Sequence, residues 1–152
     1  MRFLALFAIL ISTSFAAFSQ ILEPVKWTME QRHIAEDEFE LVFTVKIEDG
    51  WKVYSQHLES QNGPVPTFFQ FYDGRDISLV GNTDESGLKK ESFDDLFGMT
   101  LVKYSKKAKF TQRIKVAGDA DSVKGNLTYM TCDETSCLPP TNLDFDIALS
   151  SK

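Results

Sequence analysis

Between positions 38 and 48 apolar and polar side chains alternate almost without a break. Phe39, Leu41, Phe43, Val45 and Ile47 share one parity; Glu38, Glu40, Thr44, Lys46 and Glu48 share the other, which only Val42 interrupts. A period of two sends successive side chains to opposite faces of an extended chain, so the segment predicts a half-buried strand. Asp49-Gly50 ends it as a turn, and residues 51–57 restart an extended run, as in a hairpin. Asn62-Gly63-Pro64-Val65-Pro66 reads as a loop, since proline cannot donate to a central ladder. Further strands are expected at 67–72 and 76–80, around a turn at Asp73-Gly74, and at 99–104, 108–116, 127–131 and 143–149. In the 108–116 run Phe110, Gln112, Ile114 and Val116 share a face. In the last run Leu143, Phe145, Ile147 and Leu149 alternate against Asp144 and Asp146. Residues 81–98 are polar and irregular and predict a long loop, a kind of segment that is commonly functional or mobile. No segment sustains a helical period. About eight short strands with turns between them predict an all-β fold, an antiparallel sandwich of two sheets, with a closed barrel as the second choice.

The amino terminus follows another rule. Met1-Arg2 is a short basic start, residues 3–11 are unbroken apolar, and Ala17-Phe18-Ser19 fits the small-x-small pattern of a cleavage site. An apolar run this short cannot span a bilayer, which needs about 20 residues. Residues 1–19 are therefore read as a secretory signal, leaving residues 20–152 as a single exported domain without membrane insertion. Loss of Arg2 leaves 15 basic against 22 acidic side chains, a net charge of −7. A sequence pI near 4.9 gives no basic face to neutralise phosphates, which argues against a nucleic-acid partner.

Export places the chain where a cysteine pair can persist as a disulfide. The two cysteines frame Cys132-Asp133-Glu134-Thr135-Ser136-Cys137, between two strand runs, at the tip of a hairpin. Cross-strand Cβ atoms at such a tip lie about 4.5–5.5 Å apart, so a local bridge is easy to form. Closing so short a loop stabilises by only about 2 kcal/mol, against about 4.7 kcal/mol for about 100 residues. Stability alone is thus a weak reason for the bridge, while an exposed tip favours attack by another protein's thiolate. Redox exchange and a structural clip both remain open on these grounds. A metal site lacks ligands, because His33 and His57 flank other strands and a second cysteine pair is absent. Asp133 and Glu134 lie between the cysteines, with no cation in the loop, so the thiol pKa is expected above the ordinary value of about 8.5.

The segment Tyr129-Met130-Thr131-Cys132-Asp133-Glu134-Thr135-Ser136-Cys137-Leu138-Pro139-Pro140 resembles the active-site hairpin of the amino-terminal periplasmic domain of the DsbD family of thiol:disulfide interchange proteins. Asp94-Asp95-Leu96-Phe97-Gly98 is similar to that family's cap loop, with Leu-Phe in place of an aromatic pair. Gly50-Trp51-Lys52-Val53-Tyr54-Ser55-Gln56 resembles the strand beside its site. The loop between the cysteines has four residues here, where the best-known members have five. The resemblance implies an immunoglobulin-like antiparallel β-sandwich in the periplasm, a monomer in stand-alone form. It would act with partners as a protein thiol–disulfide oxidoreductase, in processes such as cytochrome c biogenesis. Cys137 would form the mixed disulfide and Cys132 would resolve it. Phe97 with Leu96 would shield the sulfurs, Asp94 or Asp95 would assist proton transfer, Gly98 would complete the cap, and Tyr54 and Pro139 would line the site. The implied partners are the thioredoxin-like domain of a membrane thiol reductase and periplasmic oxidoreductases. The redox-active disulfide would need no further cofactor.

A different class of function, a non-catalytic exported sandwich that binds or chaperones another protein, would use the same disulfide as a clip. Enzymes of other kinds find no motif: the chain has no glycine-rich phosphate loop, no nucleophile elbow and no HExxH.

Overall fold

The computed structural model describes residues 22–58, 62–72 and 76–150. The expected signal at 1–19 and the expected turn at Asp73-Gly74 lie outside the described residues. Among the described residues nine strands are formed: β1 (Val25–Ala35), β2 (Glu38–Ile47), β3 (Lys52–Tyr54), β4 (Phe68–Phe71), β5 (Ile77–Asp94), β6 (Met99–Val116), β7 (Ser122–Tyr129), β8 (Thr131–Cys132) and β9 (Thr141–Ala148). The larger sheet runs β1-β2-β6-β3-β8, with β5 along the other edge of β6, and the smaller runs β4-β7-β9. All pairings are antiparallel.

The alternation that predicts β2 is satisfied residue by residue. Phe39, Leu41, Phe43, Val45 and Ile47 are buried and pack against Phe69, Val123, Leu127, Phe145 and Ile147 of the smaller sheet. Phe43 is the hub, with ring centroids 4.7 Å from Phe69 and 5.0 Å from Phe145. Trp27 closes one side against Tyr129 and Phe110, at 5.4 and 5.7 Å.

Two departures from the sequence reading matter for the site. β1 was not anticipated, although Val25, Trp27 and Met29 alternate with Lys26, Thr28 and Glu30. Residues 81–94 are not a loop but the continuation of β5, which forms one long hairpin with β6. The register shifts twice along it, between Val80 and Asp84 and between Gly87 and Leu88. At the first shift the buried side chain of Gln112 donates to the carbonyls of Val80 and Arg113 and accepts from the Thr83 hydroxyl. At the second, Lys106 takes a positive φ of 61°. Opposite it, a Cβ on Gly87 would lie 2.6 Å from the Lys107 carbonyl oxygen, so the close approach requires glycine. These bulges also merge the two expected strands 99–104 and 108–116 into β6. The hairpin arm beyond the second bulge, residues 88–105, carries the residues expected to form the cap.

Candidate functional site

Opposed residues of an antiparallel pair point to the same face, and neighbours along a strand to opposite faces. Val53 and Tyr104 are opposed and belong to the core between the sheets. The next pair, Tyr54 and Lys103, therefore points outward, as do Lys52 and Cys132, Lys90 and Lys103, Ser92 and Leu101, and Asp94 and Met99. The outer face so assembled carries a second apolar cluster: Tyr54, Leu101 and Cys132, with Leu58, Phe97, Met99, Met130 and Cys137 packed on them.

The chain reaches this face by changing sheets. β7 ends at Tyr129 in the smaller sheet, and after Met130 β8 pairs with β3 in the larger one. Cys132 and Cys137 form a disulfide whose Cα atoms are 4.0 Å apart. Cys132 is fully buried, whereas Cys137 is half-buried. The loop between them is closed by its own hydrogen bonds. The Asp133 amide donates to the Ser136 carbonyl at 2.9 Å, and the Thr135 and Ser136 amides each donate to Asp133 Oδ1 at 2.7 Å. The amide of Thr135, and then that of Ser136, hold the Asp133 carboxyl below its ordinary value. Lys52 Nζ lies 3.3 Å from Glu134 Oε1. The loop's acidity is therefore partly answered by a cation from β3, which the expectation from the sequence did not include.

The cap expected at 94–98 is the turn joining β5 to β6. Asp94, the last residue of β5, organises it: the Leu96 amide donates to its Oδ1 at 3.0 Å and the Gly98 amide to its carbonyl at 2.8 Å. Gly98 closes the turn at φ +64°, a conformation costly for a residue with a Cβ. Phe97 lies edge-on to Tyr54, ring centroids 6.1 Å apart. Leu96 is 43% exposed, Asp95 is exposed, and Pro139 is exposed outside the cluster. Of the residues singled out from sequence, the structure thus brings Cys132, Cys137, Phe97 and Tyr54 together, with Asp94 behind them.

Asp94 is tied from below. Lys103 Nζ lies 2.9 Å from its Oδ2, and both side chains are less than a tenth exposed. Burial alone would push the Asp94 carboxyl up, but the Lys103 hydrogen bond and charge and the turn amides hold it below its ordinary value. Burial, then the Asp94 charge, pushes the Tyr54 phenol up. The two groups are neighbours, but the Tyr54 hydroxyl makes no hydrogen bond of acceptable geometry. Lys103 was missed in the sequence, although it shares the parity of Met99 and Leu101, where a lysine needs a partner.

The family model for the thiol:disulfide interchange protein DsbD, N-terminal, matches residues 20–149. The chain belongs to the family of DsbD N-terminal domains. The Neisseria meningitidis DsbD N-terminal domain in its reduced form is 25% identical, with a TM-score of 0.48 over 82% of this chain and 86% of that one. The complex of the Neisseria meningitidis DsbD and PilB N-terminal domains contains a chain 22% identical, at a TM-score of 0.51 over 84% and 87%. The N-terminal periplasmic domain of ScsB from Proteus mirabilis is 18% identical, at a TM-score of 0.57. It covers 84% of this chain, which spans about half (49%) of the ScsB one. No curated protein matches the chain. The fold is the all-β, immunoglobulin-like sandwich of DsbD N-terminal domains, formed from two antiparallel sheets.

Proposed function

We propose that this DsbD N-terminal domain is a periplasmic thiol–disulfide exchange module that relays electrons through Cys132 and Cys137. The observation that carries this reading is the asymmetry of the pair: one sulfur half-exposed beside a turn, the other sealed in an apolar cluster. A partner's thiolate attacks Cys137 Sγ, forming the mixed disulfide and expelling Cys132 as a thiolate. The partner's second thiolate then attacks the mixed disulfide, leaving the partner oxidised and both cysteines of this chain reduced. In the opposite direction the Cys137 thiolate attacks an acceptor disulfide, and Cys132 resolves the product. Tyr54 and Phe97 shield the sulfurs between encounters, and Asp95 is the free carboxylate of the turn for proton transfer. The pair needs no further cofactor.

Partners in this reading are a thioredoxin-like reductant and exported oxidoreductases. The relative solved in complex with a PilB N-terminal domain supports the general kind of acceptor. Residues 1–19 serve as the export signal. The reduction potential tests the reading: a relay lies between about −270 and −180 mV, and a structural bridge below about −300 mV. In cell extracts Cys132→Ser is expected to accumulate a covalent partner on Cys137, and Cys137→Ser is not. A potential below about −300 mV would make the disulfide a clip in a binding module.

A further inference from the structure

We propose that Lys103 is the positioning residue of the cap, holding the turn closed over the disulfide through Asp94; this rests on the exchange reading above. Lys103 stands on β6, directly opposite Tyr54 of β3 and Lys90 of β5, so its backbone is fixed from both sides. Its ammonium meets Asp94 at the point where β5 gives way to the turn. From that carboxylate and its own carbonyl, hydrogen bonds run to Leu96 and Gly98, the residues on either side of Phe97. Phe97 therefore reaches Tyr54 from a turn whose first residue is anchored by a single buried cation. Phe97 itself is only half-buried against the cluster. The ion pair is the buried, directional element, and removing one partner leaves the other charge uncompensated.

The rate at which dithiothreitol reduces the Cys132–Cys137 disulfide reports how often the cap uncovers it. Lys103→Met is expected to raise that rate about tenfold by increasing the open population, while Lys103→Arg, which keeps the charge, stays closer to the parent. Electrostatics alone predicts the reverse, because losing a cation beside Asp94 repels the attacking thiolate. In a Phe97→Ala background, where the shield is already gone, Lys103→Met is expected to add little. Should Lys103→Met fail to fold, Asp94→Asn takes its place; because losing that carboxylate also favours an attacking thiolate electrostatically, its acceleration counts for the cap only if it largely disappears in the Phe97→Ala background. All rates are compared at a temperature where circular dichroism shows each variant folded. An unchanged rate in the folded single variants would overturn the proposal, as would an equal acceleration with and without Phe97. The measurement reads access to the disulfide whatever its potential, so it can fail while the exchange reading stands, and the reverse.

Discussion

On the inner face of the larger sheet, Phe43, Phe110, Leu41 and Ile114 are fully buried among rings contributed by the smaller sheet. On its outer face Tyr54, Leu101 and Cys132 are equally buried, yet what covers them is a turn, a loop and a few half-exposed side chains. One strand, β6, serves both: Phe110 and Ile114 look inward below the bulge, Leu101 and Lys103 outward above it. The difference lies in what must move. Uncovering the inner face requires separating two sheets, and uncovering the outer one requires displacing residues 95–98. On the exchange reading, stability and reactivity fall on opposite sides of the same strand, and mutation should be able to disturb one without the other.

The largest expected effect tests the inner face. Phe43→Ala removes the ring at the centre of the core and should destabilise by about 3–5 kcal/mol in a urea titration. The reduction potential should move by less than about 30 mV, which corresponds to about 1.4 kcal/mol. A larger shift would mean that the two faces are coupled.

Acid sharpens the contrast between two buried carboxylates. Glu85 accepts from the Ser55 hydroxyl at 2.5 Å and the Gln56 amide at 2.9 Å, pinning the chain that leaves β3 to the body of β5. Burial would push its carboxyl up, but these donors hold it below its ordinary value of 4.5. Asp94 is likewise held below 3.8. A carboxyl with a lowered folded pKa stabilises above its unfolded pKa, and the gain disappears as pH falls through the folded value. Urea midpoints should therefore begin to fall below pH 4.5 and continue below 3.8. Glu85→Gln should flatten the first part of that slope and Asp94→Asn the second. Identical pH profiles for parent and variants would remove both groups from the account.

The smallest effect belongs to the rim. Lys52→Met breaks a pair whose glutamate is 81% exposed, so stability should change by less than about 1 kcal/mol. With Glu134 then uncompensated beside the cysteines, alkylation of the reduced protein at neutral pH should slow. Unchanged alkylation would show that the Lys52 charge does not reach the thiols.

The sequence is legible wherever a strand has one wet and one dry face. β2 was read from its alternation, and Gln112 was placed on the core face although it is polar. β5 is legible only at its start, where a strand is expected at 76–80; the rest lies along an edge and is mostly covered on neither face, so burial imposes no alternation there. That polar run looked like a loop, and only its end, residues 94–98, was recognised, through the family resemblance. β1 was legible in principle, with Val25, Trp27 and Met29 in step. The cysteines, Tyr54 and Phe97 were identified from motifs, but their meeting on the outer face depends on a change of sheet at Met130 that no local pattern encodes. Lys103 shows in the parity it shares with Met99 and Leu101, but its partner lies across the turn, and no local pattern reveals which carboxylate meets it.

The loop between the cysteines has one more consequence. Its closure rests on Asp133 accepting two amides and on the Asp133 amide meeting Ser136, none of which involves sulfur. None of these contacts depends on the S–S bond, so opening it does not in itself release the loop that holds the two cysteines together. On the exchange reading proposed above, Cys132 would then confront a mixed disulfide on Cys137 at the high effective concentration of a preorganised intramolecular nucleophile. In that reading the pair would be spent and restored without the chain refolding around it.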